Sequence, residues 1–515
     1  MDKRTNTLRG IRITVACIFL AGISMLFMGI GADWWGWMAK LQFLPAVSRV
    51  IGSATLLNIG IVAGIILLTI LFGRIYCSVI CPLGIFQDAI IWLRRQYGLL
   101  VNRINVRRAS ERKRNPDKAP AESKQHLADK PVLKASVKHF AYSPERKVIR
   151  YGLLVLTVVA MIVGIQVFVS LIAPYSAYGR IVRGIAGIAG EATRTLVITG
   201  LVSLLVITAC AVLGGRIWCN TVCPVGTFLG LLSRRPVFRI AIDTDKCTNC
   251  GRCVRGCKSS CIDGEKHIID YSRCVDCFDC IGRCKEGAIS FGRHKEDKGS
   301  EPAEEEHSVS RREFLAAGAL IAGSAIKATV GTPLSAADNN TQGGFAKVIE
   351  KTAPQRSGRI VPPGALSVKN FQDKCTACQL CVSACPNDVL RPATDLAHFL
   401  QPESGYEKGF CRPECTECSK VCPSGAILPI SREEKTLIHI GTAKVDLTMC
   451  YNGCGNCARH CPTGAISMVE VKGFPKPMPV VNEELCIGCG ACEYLCPSRP
   501  VSAITVNGLQ THRRG

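Results

Sequence analysis

Six runs of four cysteines are the parts of this chain most able to do chemistry. Two lie mid-chain: Cys247-x2-Cys250-x2-Cys253-x3-Cys257 and Cys274-x2-Cys277-x2-Cys280-x3-Cys284. Four lie nearer the end: Cys375-Cys378-Cys381-Cys385, Cys411-Cys415-Cys418-Cys422, Cys450-Cys454-Cys457-Cys461 and Cys486-Cys489-Cys492-Cys496. Three closely spaced thiols let one loop wrap a face of a [4Fe–4S] cubane, while the fourth points to a partner cluster. Structural zinc prefers two cysteine pairs with a longer spacer, a pattern absent from these runs. The mid-chain sets are therefore read as Cys247, Cys250, Cys253 with Cys284, and Cys274, Cys277, Cys280 with Cys257. Lys258 and Lys285 stand where a proline usually follows the fourth cysteine, and Cys261 lies nearby. The last four runs all end in Cys-Pro, and Gly-Ala-Ile after the second and third of them predicts a short strand at each place.

Four further cysteines form a repeat. Gly73-Arg74-Ile-Tyr-Cys77-Ser-Val-Ile-Cys81-Pro-Leu-Gly84 matches Gly215-Arg216-Ile-Trp-Cys219-Asn-Thr-Val-Cys223-Pro-Val-Gly226. An i, i+4 spacing on a helix puts each pair on one face. The two pairs could meet and offer four thiols to a metal, a cluster or a redox disulfide. They could also frame a quinol pocket, with Arg74 and Arg216 facing a quinone oxygen or a lipid phosphate. The plainer alternative is that Cys-x3-Cys-Pro only ends an apolar helix. Of the remaining cysteines, Cys17 and Cys210 read as small buried apolar residues.

These motifs are arranged around four apolar runs without interior charge, at 13–30, 54–72, 151–172 and 195–214, each long enough to span a bilayer as a helix. The formal net charge of +23 raises nucleic-acid binding as a reading. The charge is uneven, however: residues 94–150 hold 16 Lys and Arg against 5 Asp and Glu. Between two apolar runs this is a topology signal, so no nucleic-acid partner is expected. It places the N-terminus and 215–309 in the cytoplasm, and the loops near 32–53 and 173–194 outside. Arg180, Arg183 and Arg194 in the second outer loop run against that trend. Ser310-Arg311-Arg312-Glu313-Phe314-Leu315 begins a twin-arginine-type signal, which sends 338–515 to the periplasm. The expected order is a four-helix membrane domain (1–240), a cytoplasmic two-cluster ferredoxin (241–292), an acidic linker (293–309), a signal-anchor helix (310–337) and a periplasmic four-cluster ferredoxin (338–515). The fold class is an α-helical membrane domain with two α+β ferredoxin-like domains.

Several cofactors have no visible home. There is no Cys-x-x-Cys-His for a c-type haem, and no histidine lies in an apolar run to ligate haem between helices. Neither a dinucleotide fingerprint nor a phosphate-binding loop is present, so flavin and nicotinamide are not expected.

Residues 1–292 resemble the NapH-type membrane component of periplasmic nitrate reduction systems, through the four apolar runs, the repeated Cys-x3-Cys-Pro and the two-cluster unit. Residues 308–515 resemble the NapG/MauM-type periplasmic ferredoxin, through the twin-arginine segment, Val361-Pro362-Pro363-Gly364-Ala365-Leu366 and the four cysteine runs. The chain thus looks like a fusion of the two in a bacterial inner membrane. The resemblance implies six [4Fe–4S] clusters and electron delivery from menaquinol to a periplasmic redox enzyme or cytochrome, as the quinol-oxidising subunit of a larger oxidoreductase system. A cytoplasmic electron donor is a second source for the inner pair of clusters. The resemblance also implies that the four outer runs pair one with four and two with three: Cys375, Cys378, Cys381 with Cys496; Cys486, Cys489, Cys492 with Cys385; Cys411, Cys415, Cys418 with Cys461; Cys450, Cys454, Cys457 with Cys422. Spacing alone equally allows one with two and three with four. The alternative function is an electron-supplying maturation or reactivation factor for a periplasmic metalloenzyme.

Overall fold

The computed structural model describes residues 3–52, 55–114, 140–188, 193–293, 349–395, 397–451 and 453–515. The twin-arginine segment and nearly all of the acidic linker lie outside the described residues. The chain divides into two compact units. One is drawn from 1–20, 66–150 and 204–297, the other from 21–65, 151–203 and 298–515.

Among the described residues, two helices are long and apolar enough to cross a membrane, Thr7–Met28 and Arg194–Gly214. Arg194–Gly214 leaves much of its apolar surface exposed, Leu205 and Leu213 among it, whereas the core helix of a soluble protein hides most of its surface. Leu56–Phe72 is apolar apart from Asn58 and Thr69 but has 17 residues. The third apolar run is not the single helix that its composition predicts. It forms Lys147–Val163 and Gln166–Ile172, with Gly164 at φ +84° between them. The break has a tertiary cause: the Gln166 side chain donates to the carbonyl of Asp395 at 3.2 Å and accepts from the amide of Leu400. Cys17 also departs from expectation, since it is exposed, and Cys210 is only half-buried.

In the first unit the chain reverses after Leu56–Phe72 at Gly73, φ +77°, where only glycine sits without strain. A single helical turn, Tyr76–Val79, carries Cys77. Pro82 then opens the helix Pro82–Arg114, its missing amide costing nothing in the first turn. The second copy repeats this with Gly215 at φ +68°, a wide helical turn at Trp218–Val222 and the helix Pro224–Leu232. Here Cys223 caps its helix by accepting the Gly226 amide at 3.4 Å. The following unit has two antiparallel hairpins, Arg239–Ile242 with Ile289–Gly292 and Ile262–Asp263 with Ile268–Ile269.

Among the described residues the second unit has three two-stranded ladders. Ile438–Val445 pairs with Ile504–Arg514, Ile466–Val469 with Met478–Val481, and Leu390–Pro392 with Pro402–Ser404. A strand does follow Gly464-Ala465, but none follows Gly425-Ala426. There the Leu428 amide is taken by the carbonyl of Gly364, in the Pro-Pro-Gly turn, so the segment has no free edge for a hairpin. Residues 32–53 and 173–194 form the helices Ala32–Lys40, Phe43–Gly52 and Pro174–Ile188 in the same unit. They bond to the cysteine-rich part: Ser48 to the Phe399 carbonyl at 2.6 Å, Ser176 to the Cys378 carbonyl at 2.8 Å, and Gln372 to the Gly52 carbonyl at 2.6 Å.

Candidate cluster sites and the buried cysteine repeat

The mid-chain runs build two cages. Asn249 and Gly251 take positive φ values of 53° and 63°, curling the loop so that Cys247, Cys250 and Cys253 line one small cavity. Cys284 joins them there, brought by the turn Ile281–Arg283. The other cavity is lined by Cys274, Cys277 and Cys280 with Cys257, and also by Cys261. Each cavity thus groups the first three cysteines of one run with the last of the other. The Cys261 sulfur lies 3.5 Å from that of Cys257, and its hydrogen bond is the main cause that brings the Cys257 thiol down to about 6. Lys258 also has a reason to replace proline. It is buried, and its Nζ reaches Asp88 at 2.8 Å and Asp279 at 3.3 Å. Lys285 is exposed, and nothing in the structure explains it.

The four later runs pair differently from what the resemblance implies. Cys375, Cys378 and Cys381 lie within electrostatic reach of Cys422, the last cysteine of the second run. Cys411 and Cys418 in turn feel Cys385. Cys450 feels Cys496, and one cavity is lined by Cys486, Cys489 and Cys492 with Cys461. Run one therefore exchanges with run two, and run three with run four. The helices agree: Leu380–Ala384 packs on Glu417–Lys420, and Asn456–Arg459 on Ala491–Leu495. Between the two pairs, the Cys411 amide donates to the Cys489 carbonyl at 2.9 Å.

Arg180 and Arg183 belong to the first of these pairs. Arg180 is buried and donates to the carbonyls of Ser170 and Leu171. Arg183 donates to the Lys420 carbonyl at 2.6 Å, and both guanidiniums feel Cys378. Both guanidiniums thus sit beside this cage rather than free in a loop.

The Cys-x3-Cys-Pro repeat closes into one buried centre. Cys77, Cys81, Cys219 and Cys223 are each about 5% exposed or less, and Cys81 lies within electrostatic reach of the other three. Gln87 donates to the Cys219 sulfur at 3.3 Å. Arg74 and Arg216 are fully buried, so neither meets a lipid phosphate at the surface. Arg74 bonds to Asn220, Ser272 and the Cys219 carbonyl, and Arg216 to Asp88 and the Cys77 carbonyl. Asp88, which no motif marks, is thus a hub for Arg216, Lys258 and Arg12 at 2.5–2.8 Å. Burial opposes its ionisation, yet these three cations overcome it and hold the carboxyl far below the usual range.

The donor sets suit iron–sulfur clusters. Burial pushes Cys277, Cys375, Cys378 and Cys489 up to about 12, so their thiolates need a cationic centre to form at neutral pH. Backbone amides already point at ligand sulfurs, from Ala288 to Cys284 at 3.3 Å and from Ile427 to Cys422 at 3.4 Å. Among the described residues no three His, Cys, Asp or Glu side chains close on the radius of a single ion. A cubane spreads its four thiolates over four irons and asks for this wider cage.

Comparison with known proteins agrees. A 4Fe-4S binding domain matches residues 55–99 and 196–242, which include both Cys-x3-Cys-Pro copies. A 4Fe-4S dicluster domain matches 410–465 and 449–499, and a second 4Fe-4S binding domain matches 369–391. The ferredoxin-type protein NapG of Escherichia coli is 39% identical over 97 residues, 17% of this chain and 42% of that protein. The methylamine utilization ferredoxin-type protein MauN of Paracoccus denitrificans is 27% identical over 198 residues, 38% of this chain and 50% of its own. The ferredoxin-type protein NapH of Haemophilus influenzae is 23% identical over 217 residues, 42% of this chain and 55% of its own. The chain spans about half the length of these relatives. No solved structure matches. Together the matches support an iron–sulfur electron-transfer role.

Proposed function

We propose that the protein is a membrane-bound conduit that passes electrons from menaquinol to a periplasmic reductase or its redox partner, of the periplasmic nitrate reductase type. The observation that carries this reading is the set of cysteine cages in both units, joined in one chain to helices apolar enough for a bilayer. Six [4Fe–4S] clusters supply one-electron transfer when bound. They are held by Cys247, Cys250, Cys253 and Cys284; Cys274, Cys277, Cys280 and Cys257; and the four later sets in the pairing one with two, three with four.

The contents of each unit support a two-sided arrangement. Helices of 32–53 and 173–194 bond to the cysteine-rich part of the second unit, which supports placing all of them in the periplasm. The basic N-terminus bonds to the mid-chain cages, Arg9 to Asp279 at 2.9 Å, which supports placing both in the cytoplasm. The chain is then a NapH-like part fused to a NapG-like part. Its own residues hold the cages, bury the thiolates from water and direct backbone amides at their sulfurs.

The test is anoxic mixing of the cluster-loaded protein in detergent with a reduced menaquinol analogue, followed by electron paramagnetic resonance. Rapid reduction of part of the cluster set is the expected result. Intact clusters that dithionite reduces and menaquinol does not would overturn the quinol reading and favour a maturation role.

A further inference from the structure

A cavity of about 460 Å³ lies within the first unit, beside the helices Lys3–Met28 and Pro82–Arg114. One wall is apolar, made by Ile13, Ala16, Leu20, Ile85 and Trp92. Ile13 and Trp92 stay 42% and 58% exposed, so the cavity opens on the apolar outer surface of these helices. The rest of the lining is charged, and the whole of it holds seven Arg and Lys against Asp88 and Asp279 alone. Three cations share the Asp88 carboxylate, which leaves donors over. Among the described residues Arg12 bonds only through Nη2, to Asp88 and to the Ser78 carbonyl, so part of its guanidinium is left to meet an occupant.

An occupant must be flat and apolar on one side, offer hydrogen-bond acceptors on the other, and trail an apolar tail through the opening. A quinol headgroup has these features. An anionic lipid headgroup would satisfy the cations as well, but a second relationship favours the redox ligand. Asp279 lines both this cavity and the cage of Cys257, Cys274, Cys277 and Cys280, and Lys258 on the charged wall directly follows Cys257. A headgroup here lies one side chain from the thiolates. A phospholipid has no use for that position.

We propose that this cavity, rather than the Cys-x3-Cys-Pro repeat, binds the redox headgroup of the membrane quinol, with Arg12 and Lys258 donating to its oxygens. The assignment rests on the quinol reading above for its substrate class. The surplus of cations eases loss of the first hydroquinone proton to water, because the anion left behind is the form the wall attracts.

The experiment uses the full cluster-loaded chain in nanodiscs and a photoreactive azido-naphthoquinone, with labelled peptides mapped by mass spectrometry. Labelling is expected on 9–20 and 85–95. It should fall at least tenfold when Ala89→Trp fills the cavity from one helix, and again with Cys17→Phe from the other, at unchanged iron content. Arg12→Gln and Lys258→Gln should weaken it too. Label on the segments around Cys77 and Cys219, label indifferent to both filling variants, or competition by phosphatidylglycerol as effective as by menaquinone would each overturn the assignment. If menaquinol reduces clusters while the label goes elsewhere, the cavity is refuted and the quinol reading stands. If the cavity takes the label while menaquinol reduces nothing, the site stands and the conduit reading falls.

Discussion

Arg74 donates through Nη2 to the carbonyl oxygen of Cys219 at 2.9 Å, and in the mirror-image contact Arg216 donates to the carbonyl of Cys77 at 2.7 Å. Each half of the repeat thus closes the cysteine turn of the other, which neither half could do alone. The crossing is tight because glycines line it. A Cβ on Gly84 would sit 2.1 Å from the Cys77 carbonyl oxygen, and one on Gly226 would sit 2.1 Å from that of Cys219. Gly84→Ala and Gly226→Ala should each destabilise the protein by about 1–3 kcal/mol, the usual cost of overpacking. Gly10→Ala, with open space around it, should not. Thermal unfolding in detergent reads the difference, and wild-type midpoints for both repeat variants would remove the crossing from its structural role.

Cys257 and Cys261 make a related prediction. Cys261 is buried with its sulfur 3.5 Å from that of Cys257, and Cys257 is the one that closes the four-cysteine run. This casts Cys257 as the ligand and Cys261 as its hydrogen-bond partner. Hydrogen bonds to ligand sulfurs raise cluster potentials. Cys261→Ala should therefore keep the iron and lower the midpoint of one cluster in a redox titration. Loss of that cluster in Cys261→Ala would make Cys261 the ligand instead.

The sequence alone made the mid-chain ligand exchange legible, because two runs of identical spacing have only one partner each. With four runs the same spacing admits several pairings, and only packing chooses among them. Asp88 was invisible for another reason: a single carboxylate on a long helix has no pattern, and its importance comes from Arg12, Arg216 and Lys258 arriving from distant parts of the chain. Lys258 did leave a trace, as a cation where proline was expected. The break at Gly164 escaped composition because its neighbours are as apolar as any span, and the cause, Gln166 turning to Leu400, is tertiary.

His512 gives a pH dependence in the second unit. Both ring nitrogens are buried without a partner, and burial lowers the imidazole to about 4. The unfolded chain takes up this proton near the ordinary histidine value of about 6.5, while the folded chain resists it until about pH 4. Between these values the unfolded state binds more protons, so stability falls as pH falls. His512→Phe should flatten that part of a stability-versus-pH curve, read as the difference from wild type at equal cluster content. A parallel pair of curves would show that the ring is solvated.

Cluster pairing in the second unit can be counted in iron. If Cys385 completes the set of Cys411, Cys415 and Cys418, then Cys385→Ser and Cys418→Ser damage the same cluster. The double variant should lose about four irons per chain, no more than either single variant, since one [4Fe–4S] cluster holds four. If Cys385 instead served Cys486, Cys489 and Cys492, the two substitutions would strike different clusters and the double variant would lose about eight. The mirror experiment pairs Cys422→Ser with Cys378→Ser, for which the same geometry predicts one cluster lost. Both doubles must behave alike, because an exchange of last cysteines between two runs is reciprocal. One double losing four irons and the other eight would fit neither pairing and would show that the cages share ligands in another way.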